Sequence, residues 1–268
     1  MSFEPIRIGN TVIKLSSESG SASLYEIKNE ASPFLMKSIS ENGVVNVNVN
    51  AAANRNNSAA TIEAVDVLTM RDYLKRCRHA TELYVALRLV HNLGKQMQAL
   101  ISAGRSIACI GVDDVVVITH RDSDAFVHDD SINDPDSTLG DIRMDPQFLF
   151  LNDHLIFDLD DDDGTTLIVD RALTKTKAKH VFMSPELSEW LQAQAQQSQA
   201  QQSQAQLNFK TIYYSVAQLV IYFLLNVDRI PHDADDIAYL NPIKNTKLYW
   251  FLLRCLNPVP AQRKYIYI

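Results

Sequence analysis

The apolar positions of the first forty residues fall in short runs broken by polar turns. "TVIKL" (11–15), "SLYEIK" (23–28) and "FLMKSI" (34–39) each have strand length, and their branched and aromatic residues suit a half-buried pleated surface. "VVNVNVN" (44–50) alternates apolar and polar residues, which predicts a further strand, and the Asn/Ala-rich stretch to residue 60 reads as a loop. From residue 69 the period becomes helical. Thr69 is a candidate N-cap with Asp72 in the first turn. Residues 81–104 predict a long helix with Leu83, Leu87, Val90, Met97 and Leu100 near one face and Gly104 at its stop.

The pattern then switches. "SIACIGVDDVVVIT" predicts a loop followed by a strand, with four β-branched residues in succession from Val115 to Ile118. Residues 119–146 read as a polar, acidic insertion. "FLFLN" and "HLIFDL" predict a β-hairpin turning at Asn152-Asp153, and "TTLIVD" one more strand. After "FMSPEL", residues 191–206 are a Gln/Ala/Ser segment containing "QAQQS" twice, which reads as a linker or a frayed solvent helix. The remainder, "KTIYYSVAQLVIYFLL" and "TKLYWFLLRCL" ending in "NPVPAQR", is helical. Strands come first and helices second, which predicts an α+β chain with a small β lobe (1–68) and a helical lobe (69–268) in a single domain.

Composition narrows the classes. A chain of 268 residues with 46% hydrophobic content can bury a sizeable core. The net charge of −7 argues against a nucleic-acid groove, which needs a basic surface. The run "VAQLVIYFLL" is too short to cross a bilayer and is interrupted by Gln218, so it predicts a buried helix and no membrane partner. Cys77, Cys109 and Cys255 have no zinc-site spacing and read as reduced thiols. The start "MSFEPIRIGN" lacks the blocks of a secretion signal. "DLDDDDG" (158–164) does not fit a calcium loop, because Asp163 and Val169 stand where glycine and glutamate are needed. His91 reads as an ordinary helix residue, and His128 with Asp129 and Asp130 sits in the polar insertion.

"FMSPEL" resembles the Ala-Pro-Glu motif that closes the activation segment of protein kinases, and "LLRCLNPVPAQR" supplies Leu256, Pro258 and Arg263 at the family's spacing. The resemblance implies a bilobal protein kinase-like fold with a reduced β-rich small lobe, and a carboxylate–guanidinium pair between Glu186 and Arg263. It makes Lys37, in "FLMKSI", the nucleotide-binding lysine of a strand. It places the glycine-rich loop at "SSESGSASLY", where the glycine positions read Ser17, Ser19 and Ala22 and Gly20 is off pattern. No glutamate is identified to pair with Lys37; Glu63 lies just before the hinge-like segment.

Laid on the catalytic loop, "SIACIGVDDVVVI" turns the His-Arg-Asp triplet into Ile107-Ala108-Cys109. A thiol then replaces the proton-accepting carboxylate, Gly111 replaces the phosphate-contacting lysine, and Asp114 stands at the metal-binding asparagine. The Asp-Phe-Gly position has two candidates: Asn152-Asp153-His154, or Asp158-Leu159-Asp160, which keeps a metal-ligating aspartate. Thr211 or Ile212 stands where the family's buried helix aspartate begins the central helix. The literal string His120-Arg121-Asp122 offers a rival catalytic loop, although Asp124 replaces its lysine and Val127 its asparagine.

The resemblance therefore implies a pseudokinase acting as an interaction or scaffold module, with no cofactor expected and Mg-ATP as the ligand should nucleotide binding survive. The alternative is an atypical serine/threonine kinase using Lys37, Asp122 and Asp158. The reduced small lobe, the degenerate loop and the phenylalanine before Ser-Pro-Glu are also similar to kinase-like proteins of large DNA viruses. That likeness implies a protein partner in host signalling or the virion, a cytoplasmic or virion-associated location, and a structural virion component as a third reading.

Overall fold

A computed structural model describes residues 4–19, 22–29, 31–41, 58–76, 83–121, 144–170, 173, 181–196, 204–225 and 237–265. The N-terminal strands β1 (Ile6–Ile8), β2 (Thr11–Ser19) and β3 (Ala22–Asn29) form an antiparallel meander. After helix α1 (Pro33–Glu41), strand β4 (Ser58–Ala64) returns to pair with β3, giving the order β1-β2-β3-β4. Alternation sets the two faces. Ile8, Ile13, Tyr25, Ile27 and Ile62 are buried, whereas Arg7, Lys14 and Lys28 point to solvent.

The expected strand "FLMKSI" is instead helix α1. Ser32 Oγ accepts the Leu35 N–H at 3.3 Å, Pro33 begins the helix, and Asn29 Oδ1 accepts the N–H groups of Ala31 and Ser32. A Ser-Pro start fixes the first turn in helical geometry, and Leu35, Met36 and Ile39 then fall on one buried face. A short apolar run is ambiguous in period, and here the cap decides it. The strand expected at 44–50 lies outside the described residues.

Strand β5 (Asp66–Thr69) leads into α2 (Met70–Arg76), with Thr69 Oγ1 accepting the Asp72 N–H at 3.1 Å, as its cap reading requires. Helix α3 (Leu83–Ser102) stops at Gly104, whose φ of 72° suits glycine. Its buried stripe runs through Ala86, Leu89, Val90, Leu93, Met97 and Leu100, and Leu83 is exposed. Next come the short strands β6 (Arg105–Ile107) and β7 (Ile110–Gly111), a 3-10 turn at Val112–Asp114, and strand β8 (Val115–Arg121). Strand β9 (Met144–Phe150) pairs with β8, and β8 with β5.

The ladder of β8 and β9 extends to Arg121 opposite Met144, so both ends of the expected 119–146 insertion are strand; residues 122–143 lie outside the described set. The outer edge of β9 meets α3. Asn92 Oδ1 accepts the Phe148 N–H at 3.1 Å, Gln96 Oε1 accepts the Phe150 N–H at 2.9 Å, and Gln96 Nε2 donates to Phe150 O at 2.7 Å. The match is geometric: four helical residues rise about 6 Å and two strand residues about 6.6 Å, so an i, i+4 pair can serve alternate strand positions.

The expected hairpin at Asn152-Asp153 does not form. Asn152 caps a 3-10 turn at Asp153–Leu155, and the following β10 (Ile156–Asp158) pairs with β6 rather than β9. Strand β11 (Thr166–Val169) pairs with β13 (Ala205–Asn208), and β12 (Val181–Phe182) pairs with β7. Between β12 and β13, helix α4 (Pro185–Gln196) takes the first part of the Gln-rich segment. Gln and Ala are good helix formers, and Leu187 anchors the first turn in the core.

Helix α5 (Thr211–Leu225) is buried along most of its length, as expected, and α6 (Lys247–Cys255) follows it. Phe148 of β9 meets Phe223 of α5 edge-on at 5.5 Å, and Tyr73 of α2 stacks on Phe223 at 6.3 Å. Apolar side chains from the N-terminal sheet, α1, α3, β8, β9 and α5 make one continuous core. Among the described residues no helix is long and apolar enough to cross a membrane.

Candidate functional site

The centre of interest is the segment from β6 to the start of β8, where it meets the turn after β9. Cys109 lies between β6 and β7 with no exposed surface. Burial, and then the nearby Asp114 carboxylate, push its thiol far above the ordinary range. A thiol held protonated cannot accept a proton from a hydroxyl.

Asp114 closes the 3-10 turn and is 5% exposed. Its Oδ2 accepts the Gly111 N–H at 2.6 Å and its Oδ1 accepts Asn152 Nδ2 at 2.6 Å, while its carbonyl accepts the Leu151 N–H at 2.9 Å. Burial pushes its carboxyl up to about 6, against the lowering effect of the Asn152 and Gly111 donors, and the Asp113 charge adds to the rise. Both carboxylate oxygens are thus engaged by N–H donors. The Asn152 amide is engaged at its other end too, accepting the His154 N–H at 3.2 Å. Asp113, the neighbour of Asp114, is gripped by Arg71 of α2, with Nε at 2.6 Å and Nη2 at 2.8 Å from its two oxygens.

The turn between β1 and β2 packs onto the same place. Asn10 donates its backbone N–H to Asp153 Oδ1 at 2.9 Å and its Nδ2 to Oδ2 at 2.8 Å. Thr11 Oγ1 donates to Leu151 O at 2.7 Å and accepts from Asn29 Nδ2 at 2.7 Å. Gly9, at a φ of 57°, lies so close that a Cβ would stand 2.5 Å from Asp153 Oδ1 and 2.8 Å from Asn152 Oδ1. The N-terminal sheet is therefore bolted directly over the Asn152-Asp153-His154 turn.

Of the two sequence candidates for the Asp-Phe-Gly position, the structure sets Asn152 beside Asp114. Asp158 lies on β10 and pairs with Arg105 at 2.9 Å, whereas the two Asp114 oxygens, expected with Asp158 to hold a metal, are taken by Asn152 and Gly111. Lys37 lies on the exposed side of α1, not on a strand over the site. Glu63 is exposed on β4. Ser17, Glu18 and Ser19 continue the β2–β3 ladder opposite Leu24, Ser23 and Ala22, so the expected glycine-rich loop is largely regular strand. Gly20 and Asp122 lie outside the described residues. His120 and Arg121 end β8, six and seven residues beyond Asp114. At about 3.3 Å per residue that places them roughly 20 Å away along the strand.

The expected pair of Glu186 and Arg263 forms. Arg263 Nη1 donates to Glu186 Oε1 at 2.5 Å and Nη2 to Oε2 at 3.0 Å. Arg263 is fully buried; its Nε donates to Asn257 O at 2.8 Å, and its guanidinium lies 5.0 Å from the centre of the Tyr214 ring. Burial opposes ionisation of Glu186, but the bonds from Arg263 and Thr211 prevail and hold its carboxyl below the usual range. Thr211, one of the two residues expected at the position of the helix aspartate, begins α5, and its single hydroxyl proton is shared between Asn208 O at 2.6 Å and Glu186 Oε1 at 3.0 Å. That position thus serves the Glu186–Arg263 pair. The Asn10, Thr11 and Arg71 contacts were not expected from sequence; "IGN" and "RDY" carry no signal that names a partner so far along the chain.

No known protein-family profile matches the sequence, and no curated protein matches it. Solved structures match in fold. The autoinhibited serine kinase domain of the giant muscle protein titin aligns over 98% of this chain and 76% of its own, at 12% identity and a TM-score of 0.53. The kinase domain of Mycobacterium tuberculosis PknI aligns over 97% of this chain and 92% of its own, at 13% identity and a TM-score of 0.45. The chain has a bilobal, α+β protein kinase-like fold.

Proposed function

We propose that this protein is a pseudokinase: a kinase-like fold that does not transfer phosphate and works by binding a protein partner. The observation that carries the reading is the Asp114–Asn152 hydrogen bond beneath the β1–β2 turn. Phosphoryl transfer depends on metal ions bridging the phosphates and on a base that orients the hydroxyl. A magnesium ion needs oxygen ligands at about 2.0–2.1 Å. Here the Asn152 amide engages one Asp114 oxygen and the Gly111 N–H the other, and the residue is buried. The group at the position of the base is a buried, protonated thiol. The Glu186–Arg263 pair, which supports the fold rather than the chemistry, is intact.

The test is a thermal shift with millimolar Mg-ATP, followed by radiolabelled phosphate transfer to a generic protein substrate. The reading expects an unchanged melting temperature and no labelled product. A magnesium-dependent rise of several degrees, with transfer lost in Asp122→Asn, would establish instead the atypical kinase that uses Lys37, Asp122 and Asp158.

A further inference from the structure

We infer that the solvent face of the N-terminal sheet is a docking site for an acidic peptide segment of a partner protein. The inference names the partner chemistry of the interaction module proposed above and rests on that reading. The face holds a concavity of about 330 Å³ lined by Arg7, Asn10, Val12, Lys14, Glu26 and Lys28. In the ladder Arg7 stands opposite Val12, and Val12 opposite Lys28, so two cations flank a small apolar floor. With strands about 4.8 Å apart, the two cationic positions are roughly 10 Å apart. Lys14 lies two residues along β2 from Val12, on the same face, opposite Glu26.

Glu26 is the single acid of the lining and pairs with Lys28 at 3.0 Å. Arg7 and Lys14 have no hydrogen bond or ion pair among the described residues, and both are exposed. Three cations against one carboxylate leave a surplus of two positive charges in a chain whose net charge is −7. A concentrated patch of the minority sign marks where an oppositely charged partner is drawn in.

The shape selects the occupant. A hollow this small takes side chains, not a bilayer, and three cations are too few for a nucleic-acid backbone. Acidic residues at alternate positions of an extended segment lie about 6.6 Å apart on one side. From there their carboxylates reach Arg7, whose fork binds a carboxylate through two N–H groups, and one of the lysines. Glu26 disfavours a dianion at the lysine end and tolerates a single carboxylate there.

The experiment is fluorescence anisotropy with the full chain and a labelled peptide alternating glutamate and serine. The expected result is saturable binding that weakens between 50 and 300 mM salt. The triple charge reversal Arg7→Glu, Lys14→Glu and Lys28→Glu should weaken it by at least about tenfold. Glu26→Gln should tighten it about two- to threefold. Arg254→Glu, an exposed cation on α6, should leave it unchanged. All four reversed side chains are exposed, and an unaltered melting curve confirms that each variant is folded. Absent binding, or binding equal in the triple variant and the parent, would sink the inference. So would stronger binding of a phosphoserine peptide, of phosphatidylserine vesicles or of single-stranded RNA. No nucleotide enters the assay, so this outcome and that of the Mg-ATP test are read independently.

Discussion

Glu186 and Arg263, 77 residues apart, meet through two hydrogen bonds, yet the two ends differ in access to water. The Arg263 side chain is fully buried and that of Glu186 is 21% exposed. Removing one charge while keeping volume should therefore have unequal effects. Glu186→Gln strands a buried cation and should cost about 3–5 kcal/mol, whereas Arg263→Met leaves a carboxylate that can reach solvent and should cost about 2 kcal/mol. Urea unfolding of both variants checks the order.

Asp114 predicts a pH dependence of stability. Its folded carboxyl titrates at about 6, above the value of about 3.9 for an unfolded chain. Between those values the folded state binds the extra proton, so this group lowers stability as pH rises, by up to about 1.4 kcal/mol per pH unit. Glu186 acts with the opposite sign at lower pH: its depressed carboxyl gives stability that is present above the unfolded value and lost as pH falls. Asp114→Asn should flatten the slope between pH 4.5 and 6. Urea midpoints at three pH values, compared with the parent, isolate the contribution.

The Asp114–Asn152 bond predicts a coupled pair. Asn152→Asp sets two carboxylates face to face across the 2.6 Å contact and should destabilise the protein by at least about 2 kcal/mol at pH 7.5. Exchanging both residues, Asp114→Asn with Asn152→Asp, restores one donor against one acceptor. A double-mutant cycle should give a favourable coupling of at least about 1 kcal/mol. Additive losses would show that the two side chains do not act on each other.

Gly9 predicts a local opening of the site. An alanine there combines a positive φ, costing about 1–2 kcal/mol, with a Cβ 2.5 Å from Asp153 Oδ1. Gly9→Ala should lower the melting temperature and speed amide exchange at Asn10, whose N–H is held by Asp153. Slow exchange in the variant would mean that the turn is held by other contacts.

Cys109 should be chemically silent. It has no exposed surface, and its thiol is held protonated. Iodoacetamide at pH 8 should label the Cys109 peptide only after denaturation, as mass spectrometry would report. Labelling in the native state within minutes would mean that the site opens.

Sequence carried the features that depend on near neighbours or on a spaced motif. The α5 helix is legible from an apolar run broken by one glutamine, and the Glu186–Arg263 pair from Ser-Pro-Glu and the proline-flanked arginine. The apolar run of α1 does not show its helical state, because the residues that cap its start, Asn29 and Ser32, lie before the run. The choice between Asn152 and Asp158 depends on which of them Asp114 meets, 38 residues from Asn152. The Asn10–Asp153 clamp spans 143 residues, a distance over which alternation and propensity are silent.

The amides that Asn92 and Gln96 take from β9 have a consequence for assembly. A strand at the rim of a sheet normally offers its free N–H groups to any extended chain that comes near. At Phe148 and Phe150 those groups are already spoken for, and Pro146, two residues earlier on the same rim, has none to give. From Pro146 to Phe150 this rim therefore offers an incoming chain no free N–H.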